Sequence, residues 1–241
     1  NIIEEYNWVS AAEFMDSIGI DIISTSLGYI SFDDSQMTHE YSDFDGETCV
    51  ITRGAEIACS RGILCVSAAG NEGDTDFPYV GAPGDGKNVL TVGGVKSDGE
   101  RVYFSSIGPT YDGRIKPDVM SFAYAVTLAS PGNNFYESNG TSYACPSLAG
   151  MTACLWQALK TEPASKIRSI IKESSNNYYT PNNEYGYGIP DFKVALDMVN
   201  LEECDIFEEK TLFSVFPNPC DRNMELMLNY EGNTSVQVFD M

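Results

Sequence analysis

Residues 52–73 read TRGAEIACSRGILCVSAAGNEG, and they hold a helix, a strand and a turn in unbroken succession. Thr52 to Ser60 has the spacing of a helix, and Gly62 ends it. Ile63 to Ala68 is an apolar run, as expected of a strand buried on both faces. Gly70-Asn71-Glu72-Gly73 follows at once. The same grammar extends outward. Trp8 to Ser17 sets Trp8, Ala11, Ala12 and Met15 at helical spacing, Gly19 stops it, and Ile20 to Ser26 is a second buried strand. Val89 to Val95 is a third. Helices and strands alternating over short connections predict an α/β fold, a parallel β-sheet flanked by helices in three layers. Ligands of such sheets bind at the carboxyl ends of the strands. Ser26-Leu27-Gly28 and Ala69-Gly70-Asn71 both fall at such ends. Between these units, residues 31–48 form a polar, acidic insertion.

The 241 residues carry 35 Asp and Glu against 14 Lys and Arg, a formal charge of −21. That balance opposes nucleic acid, whose phosphates must be met by Lys and Arg, and it disfavours anionic lipid. No apolar run approaches the ~18 residues of a spanning helix, so no transmembrane segment is expected. A hydrophobic share of 43% argues against wholesale disorder. Composition shifts near residue 201. Residues 1–200 read as the α/β domain, 201–210 as an acidic linker, and 211–241 as short strands and turns, an incomplete all-β tail. The start at Asn1, without Met or a signal-peptide pattern, suggests a piece of a longer protein. The seven cysteines include no C-x-x-C pair and read chiefly as small buried hydrophobes. A disulfide through Cys204 is the other reading. A zinc site is not expected, because His39 is the single histidine.

Chemistry concentrates in Asn139-Gly140-Thr141-Ser142-Tyr143-Ala144-Cys145-Pro146, which opens a long apolar helix. Gly140 permits close approach, and Pro146 suits a first turn. A serine at a helix start faces unpaired N–H groups and the positive end of the dipole, which stabilise an anion beside its hydroxyl. An ordinary helix cap would use the same residue. Asn71, just beyond a strand, can aim a carboxamide N–H at a developing oxyanion. It can equally be a turn residue after glycine. Together Ser142, Asn71 and the small-residue rim supply a nucleophile, a donor and a substrate floor.

Gly140-Thr141-Ser142-Tyr143-Ala144-Cys145-Pro146 with Ala149-Gly150 resembles the nucleophile box of the subtilisin-like serine peptidases. Ala68-Ala69-Gly70-Asn71 is similar to their oxyanion segment, and Ser26-Leu27-Gly28 to the strand that pairs with substrate. Phe104 to Pro109, Asp112 to Asp118 and Tyr185 to Gly188 are further landmarks, all in the family's order over residues 1–198. The resemblance implies Ser142 as nucleophile, with Asn71 and the Ser142 N–H as the oxyanion hole. It implies Ser26, Leu27, Gly28, Ala69 and Gly70 as the substrate cradle, and a protein or peptide substrate. It also marks Ala82-Pro83 as a site where the family often has a cis bond, against the trans default.

The family's other two catalytic groups have no counterpart here. No Asp-x-Gly and no His-Gly-Thr-His box occurs, and the family's His precedes its Ser by about 157 residues. The chain is therefore expected to need an upstream part of the same domain and to be inactive by itself. His39, within the acidic insertion, reads as a solvated or locally paired histidine rather than a base. Asp74-Thr75-Asp76 and residues 33–47 are candidate calcium loops without EF-hand spacing, and the plainer reading is solvated acid; no other cofactor is implied. Asn139-Gly140-Thr141 and Asn233-Thr234-Ser235 match the glycosylation sequon, the first by chance. The tail, Phe213-Ser214-Val215-Phe216-Pro217-Asn218-Pro219 and Val236 to Asp240, resembles the C-terminal sorting domain of type IX secretion in Bacteroidetes. It implies secretion machinery as a partner and a secreted or surface location. The rivals are a peptide-binding pseudopeptidase and an exported structural or adhesion protein.

Overall fold

The structure is a computed structural model, and it describes residues 2–198 together with 213–214 and 227–228. The chain divides into two compact units, residues 1–199 and 200–241. In the first unit, α1 (Ile3–Ser17), β1 (Ile22–Thr25), α2 (Val50–Ser60), β2 (Leu64–Ala68), β3 (Leu90–Val95) and β4 (Val119–Phe122) precede a hairpin, β5 (Val126–Ser130) and β6 (Asn134–Ser138). Then come α3 (Thr141–Ala158), α4 (Ala164–Glu173) and α5 (Phe192–Asp197). In the second unit, β7 (Phe213–Ser214) pairs antiparallel with β8 (Met227–Leu228). The acidic linker, the Pro-Asn-Pro turn, the Val236 strand, Cys204 and the second sequon lie outside the described residues.

Strands β1-β2-β3-β4 stand side by side and all run parallel. Alternation along them explains the continuous apolar text. Leu64, Val66 and Ala68 of β2 face a core shared with α3 and α4. Ile63 and Cys65 face a second core built on Trp8, Ala12, Ile51 and Ala55. The sheet is thus buried on both sides, the three-layer α/β arrangement read from the sequence.

Three expectations change. Helix α1 starts at Ile3 rather than Trp8, and its first turn carries Glu5 at 0% exposure. Apolar spacing could not reveal that turn, because its buried residue is charged. The 31–48 insertion is packed: Phe44 is fully buried, and two 3-10 turns, Ser35–Met37 and Tyr41–Asp43, brace the segment. Pro146 lies in the second turn of α3 rather than the first. The Ala82-Pro83 bond is cis, the form that the family resemblance marks at this position.

Candidate active site

Both expected strand ends meet the start of α3. Gly140 precedes the helix at φ +154°, in the half of backbone space that favours glycine, and Ser142 is the second helical residue. Ser142 is half-buried. Its Oγ donates a long hydrogen bond, 3.4 Å, to Ser26 O. In return Ser26 Oγ donates to Ser142 O at 2.8 Å. Pro146 explains why that carbonyl is open. A helical carbonyl at position 142 would normally accept the N–H of residue 146, and proline has none. The freed acceptor is taken by the end of β1 across the site.

Cys145 ties the same helix to the sheet. Its Sγ contacts Thr25 O at 3.5 Å, Val66 O at 3.6 Å and Ser24 Oγ at 3.5 Å. Burial pushes its thiol up to about 11, so it acts as a neutral donor beneath the site.

Asn71 is exposed just past β2. Its Oδ1 accepts from Thr141 N at 2.9 Å and from Thr141 Oγ1 at 3.1 Å. With the carbonyl end so occupied, the amide Nδ2 points the other way and makes no hydrogen bond among the described residues. A Cβ placed on Gly140 would lie 3.8 Å from that nitrogen, so it borders the helix start. Thr141 is fully buried and also exchanges hydrogen bonds with Gly70 N and O at 3.2 Å. The sequence reading gave Thr141 no role. Its only sequence signal is its place between Gly140 and Ser142.

Gly70 adopts φ +105°, where a Cβ would strike Ser106 Oγ and the Glu72 carboxylate. Ser106 Oγ in turn bridges Glu72 N and Glu72 Oε2 at 3.1 and 2.9 Å. Ala69 is buried, with its N–H on Val92 O of β3. Leu27 and Gly28 are exposed at the end of β1, and Tyr29 N pairs with Ala82 O at 2.9 Å. The structure thus gathers Ser142, Asn71, Ser26, Ala69 and Gly70 around one helix terminus. A cleft of about 380 Å³ lies elsewhere and is lined by Ser169, Lys172, Glu173, Tyr178, Tyr179 and Tyr187. It is open, and none of its walls belongs to the gathered residues.

His39 is not at the site. Its Nε2 meets Glu5 Oε1 at 2.6 Å, and Asp43 lies 3.8 Å from Nδ1. The hydrogen bond to Glu5 raises its pKa, against the opposing effect of burial. Glu5 Oε2 also accepts Ile51 N at the start of α2. The histidine is locally paired, and it is not solvated, being 12% exposed in its side chain. Among the described residues no imidazole or carboxylate hydrogen-bonds Ser142, and no three His, Cys, Asp or Glu side chains are grouped as metal ligands. The acidic loop spends its carboxylates locally: Asp34 on Gln36 N, Asp43 on Glu40 N, and Asp45 on Glu47 N and Thr48. Asn139 Oδ1 accepts Ala125 N.

The sequence model of the subtilase family, peptidase S8, matches residues 1–188. Subtilisin DY of Bacillus licheniformis is 30% identical over 188 residues, which is 78% of this chain and 61% of that protein. The serine protease AprX of Bacillus subtilis (strain 168) is 31% identical over 211 residues, 78% of this chain and 46% of that protein. The chain therefore spans roughly half to three-fifths of the length of these relatives. Among solved structures, the patellamide maturation protease PatA superposes with a TM-score of 0.63 at 23% identity, covering 80% of this chain and 68% of that one. The prenylagaramide maturation protease PagA gives 0.63 at 21%, with 80% and 66% covered. At those identities the likeness is one of fold.

Proposed function

Because the chain belongs to the subtilase family of serine peptidases, we propose that Ser142 is the nucleophile of a peptide-bond hydrolysis, with Asn71 Nδ2 and the Ser142 N–H as the oxyanion donors. The observation that carries the reading is the Thr141 clamp. It occupies Asn71 Oδ1 and leaves the amide donor unspent beside the start of α3. In the reaction, Ser142 Oγ attacks the scissile carbonyl and loses its proton to a base. The amine leaves with a proton, and water then hydrolyses the acyl-enzyme. Ser26-Leu27-Gly28 and Ala69-Gly70 form the cradle for an extended protein or peptide substrate.

The base and its orienting carboxylate belong, in this reading, to a preceding part of the same domain. Two features support it. Strand β1 is the outer strand of the four and, among the described residues, has a partner on one side only. Helix α3 exposes a row of small residues, Pro146, Ser147, Gly150 and Ala153. The resemblance of the tail to a type IX sorting domain supports export and a secreted or surface location.

The experiment is fluorophosphonate labelling of the chain alone and of the chain joined to its preceding sequence. The chain alone should stay unlabelled, because a serine without a base is a poor nucleophile. The joined protein should label at Ser142 and not in Ser142→Ala. Strong labelling of the isolated chain would refute the missing base. Its absence from the joined protein would instead favour a peptide-binding pseudopeptidase, a reading supported by Ser142 Oγ resting on a main-chain carbonyl.

A further inference from the structure

The 380 Å³ cleft away from Ser142 is built from two elements. Helix α4 supplies Ser169, Lys172 and Glu173, which share one face at i, i+3 and i+4. The segment after it supplies Tyr178, Tyr179 and Tyr187. That segment is tied down by its backbone: Asn177 N donates to Tyr187 O at 2.9 Å, and Tyr187 N to Asp118 O at 2.8 Å. The rings are therefore positioned before any ligand arrives. The Tyr178 ring centroid lies 5.8 Å from that of Tyr187 at 32°, and 5.3 Å from that of Tyr179 at 69°. Tyr179 is 94% exposed, an aromatic face left in water.

Most polar groups of the cleft have no partner. The three tyrosine hydroxyls, Ser169 Oγ and the Glu173 carboxylate make no hydrogen bond or ion pair among the described residues. Lys172 is the exception: its Nζ meets Asp118 Oδ1 at 3.1 Å and sits 4.4 Å from the centroid of the Tyr187 ring. The combination selects a ligand class by exclusion. An anion would face the Glu173 carboxylate, while the Lys172 ammonium is already committed to Asp118. An organic cation would meet Lys172 at the ring face it needs. A wholly apolar ligand would strip water from the hydroxyls and the carboxylate and return no hydrogen bond. A pyranose satisfies both halves of the cleft, because its C–H faces lie on aromatic rings and its hydroxyl rim both donates and accepts.

We propose that this cleft is a saccharide-binding site for a neutral, β-linked chain of glucose-type units. Sugar rings whose hydroxyls are all equatorial carry C–H groups on both faces, which suits tyrosines meeting at a steep angle. Tyr178 and Tyr179 give such a ring a floor and a wall, and Glu173 and Ser169 on α4 take hydrogen bonds from its rim. The cleft volume falls in the range of small-ligand sites. The site stands apart from Ser142 and does not depend on the peptidase reading.

The test is native electrophoresis through gels cast with mixed-linkage β-glucan, in which a chain of formal charge −21 runs strongly toward the anode. Mobility should fall as the polysaccharide concentration rises, and soluble cellohexaose should restore it. Tyr179→Ala, at a position too exposed to disturb the fold, should weaken binding about tenfold. Glu173→Gln, which keeps the shape and removes the charge, should weaken it less. Tyr124→Ala, a 41% exposed tyrosine outside the cleft, should change nothing. Unaltered mobility of the unsubstituted chain would overturn the proposal, and so would full retardation of Tyr179→Ala. Binding of a decaproline peptide without binding of β-glucan would also overturn it, and would give the cleft to proline-rich protein segments.

Discussion

Replacing Lys116 by Met should be among the most damaging single changes in the sheet. The ammonium is 2% exposed and meets an acceptor for each of its three N–H groups: Val89 O at 2.9 Å, Thr91 Oγ1 at 2.9 Å and Asp118 Oδ2 at 2.6 Å. Burial pulls the lysine pKa down, and Asp118 opposes that pull. Burial pushes the Asp118 carboxyl up, yet Lys116 and Lys172 outweigh it and hold the group below the usual carboxylate range. Removing one partner of a buried pair costs about 3–5 kcal/mol. Asp118 would keep Lys172 Nζ at 3.1 Å and Thr91 N at 2.9 Å, which places the pair loss near the lower end. Val89 O would lose its donor, adding about 1 kcal/mol. The sum is about 4 kcal/mol, or a Tm lower by roughly 8–16 °C for a domain of this size. Urea unfolding followed by Trp8 and Trp156 fluorescence measures it, and Lys116→Met/Asp118→Asn should lose less than the two single changes together. The sign with pH follows. Asp118 titrates lower in the fold than in the unfolded chain, so its contribution is complete above about pH 4 and fades as pH falls through its folded value. A loss under about 1 kcal/mol for Lys116→Met, or additivity with Asp118→Asn, would refute this account of the cluster.

Four further outcomes are expected. His39, as the single histidine, gives one ring signal by NMR, which should titrate above 6.5. In Glu5→Gln that pKa should fall, because the Glu5 charge and its hydrogen bond no longer oppose burial and only Asp43 and Asp85 still do; stability drawn from the unsubstituted pair is full below 6.5 and fades as pH rises through the folded value. In the peptidase joined to its preceding sequence, Thr141→Val should lower kcat about tenfold with KM little changed, since it loosens Asn71 while Thr141 N still holds Oδ1; a KM effect alone would count against a positioning role. Gly186→Ala should destabilise by about 3 kcal/mol or more, because its φ of +58° is coupled to a clash with Pro117 O and Asp118 O. Gly150→Ala, helical with nothing within 4 Å, should stabilise this chain by about 0.5–1 kcal/mol in the same urea assay.

Local order was legible in the sequence. Apolar runs and their glycine stops located β1, α2, β2 and β3 to within two residues, because a strand buried on both faces must be apolar throughout. The box around Ser142 and the amide at Asn71 were legible too, as short segments whose residue types are dictated by a helix start and a strand end. The first turn of α1 was not legible, since Glu5 is buried only because His39 and Ile51 N meet it. The β5–β6 hairpin was also missed; its strands expose Phe135 and Tyr136 and bury little to mark them.

The sequence by itself determined the layered α/β architecture and the family, and it singled out the residues proposed here as nucleophile and amide donor. Tertiary structure alone decided how that amide is aimed and what the histidine does. Thr141 reaches Asn71 across 70 positions, Ser26 reaches the carbonyl freed by Pro146 across 116, and Glu5 reaches Ile51 across 46. Side-chain periodicity records which face of an element is dry. It carries no record of which distant polar group will satisfy a buried donor or acceptor, and that choice is made only when the elements close on one another.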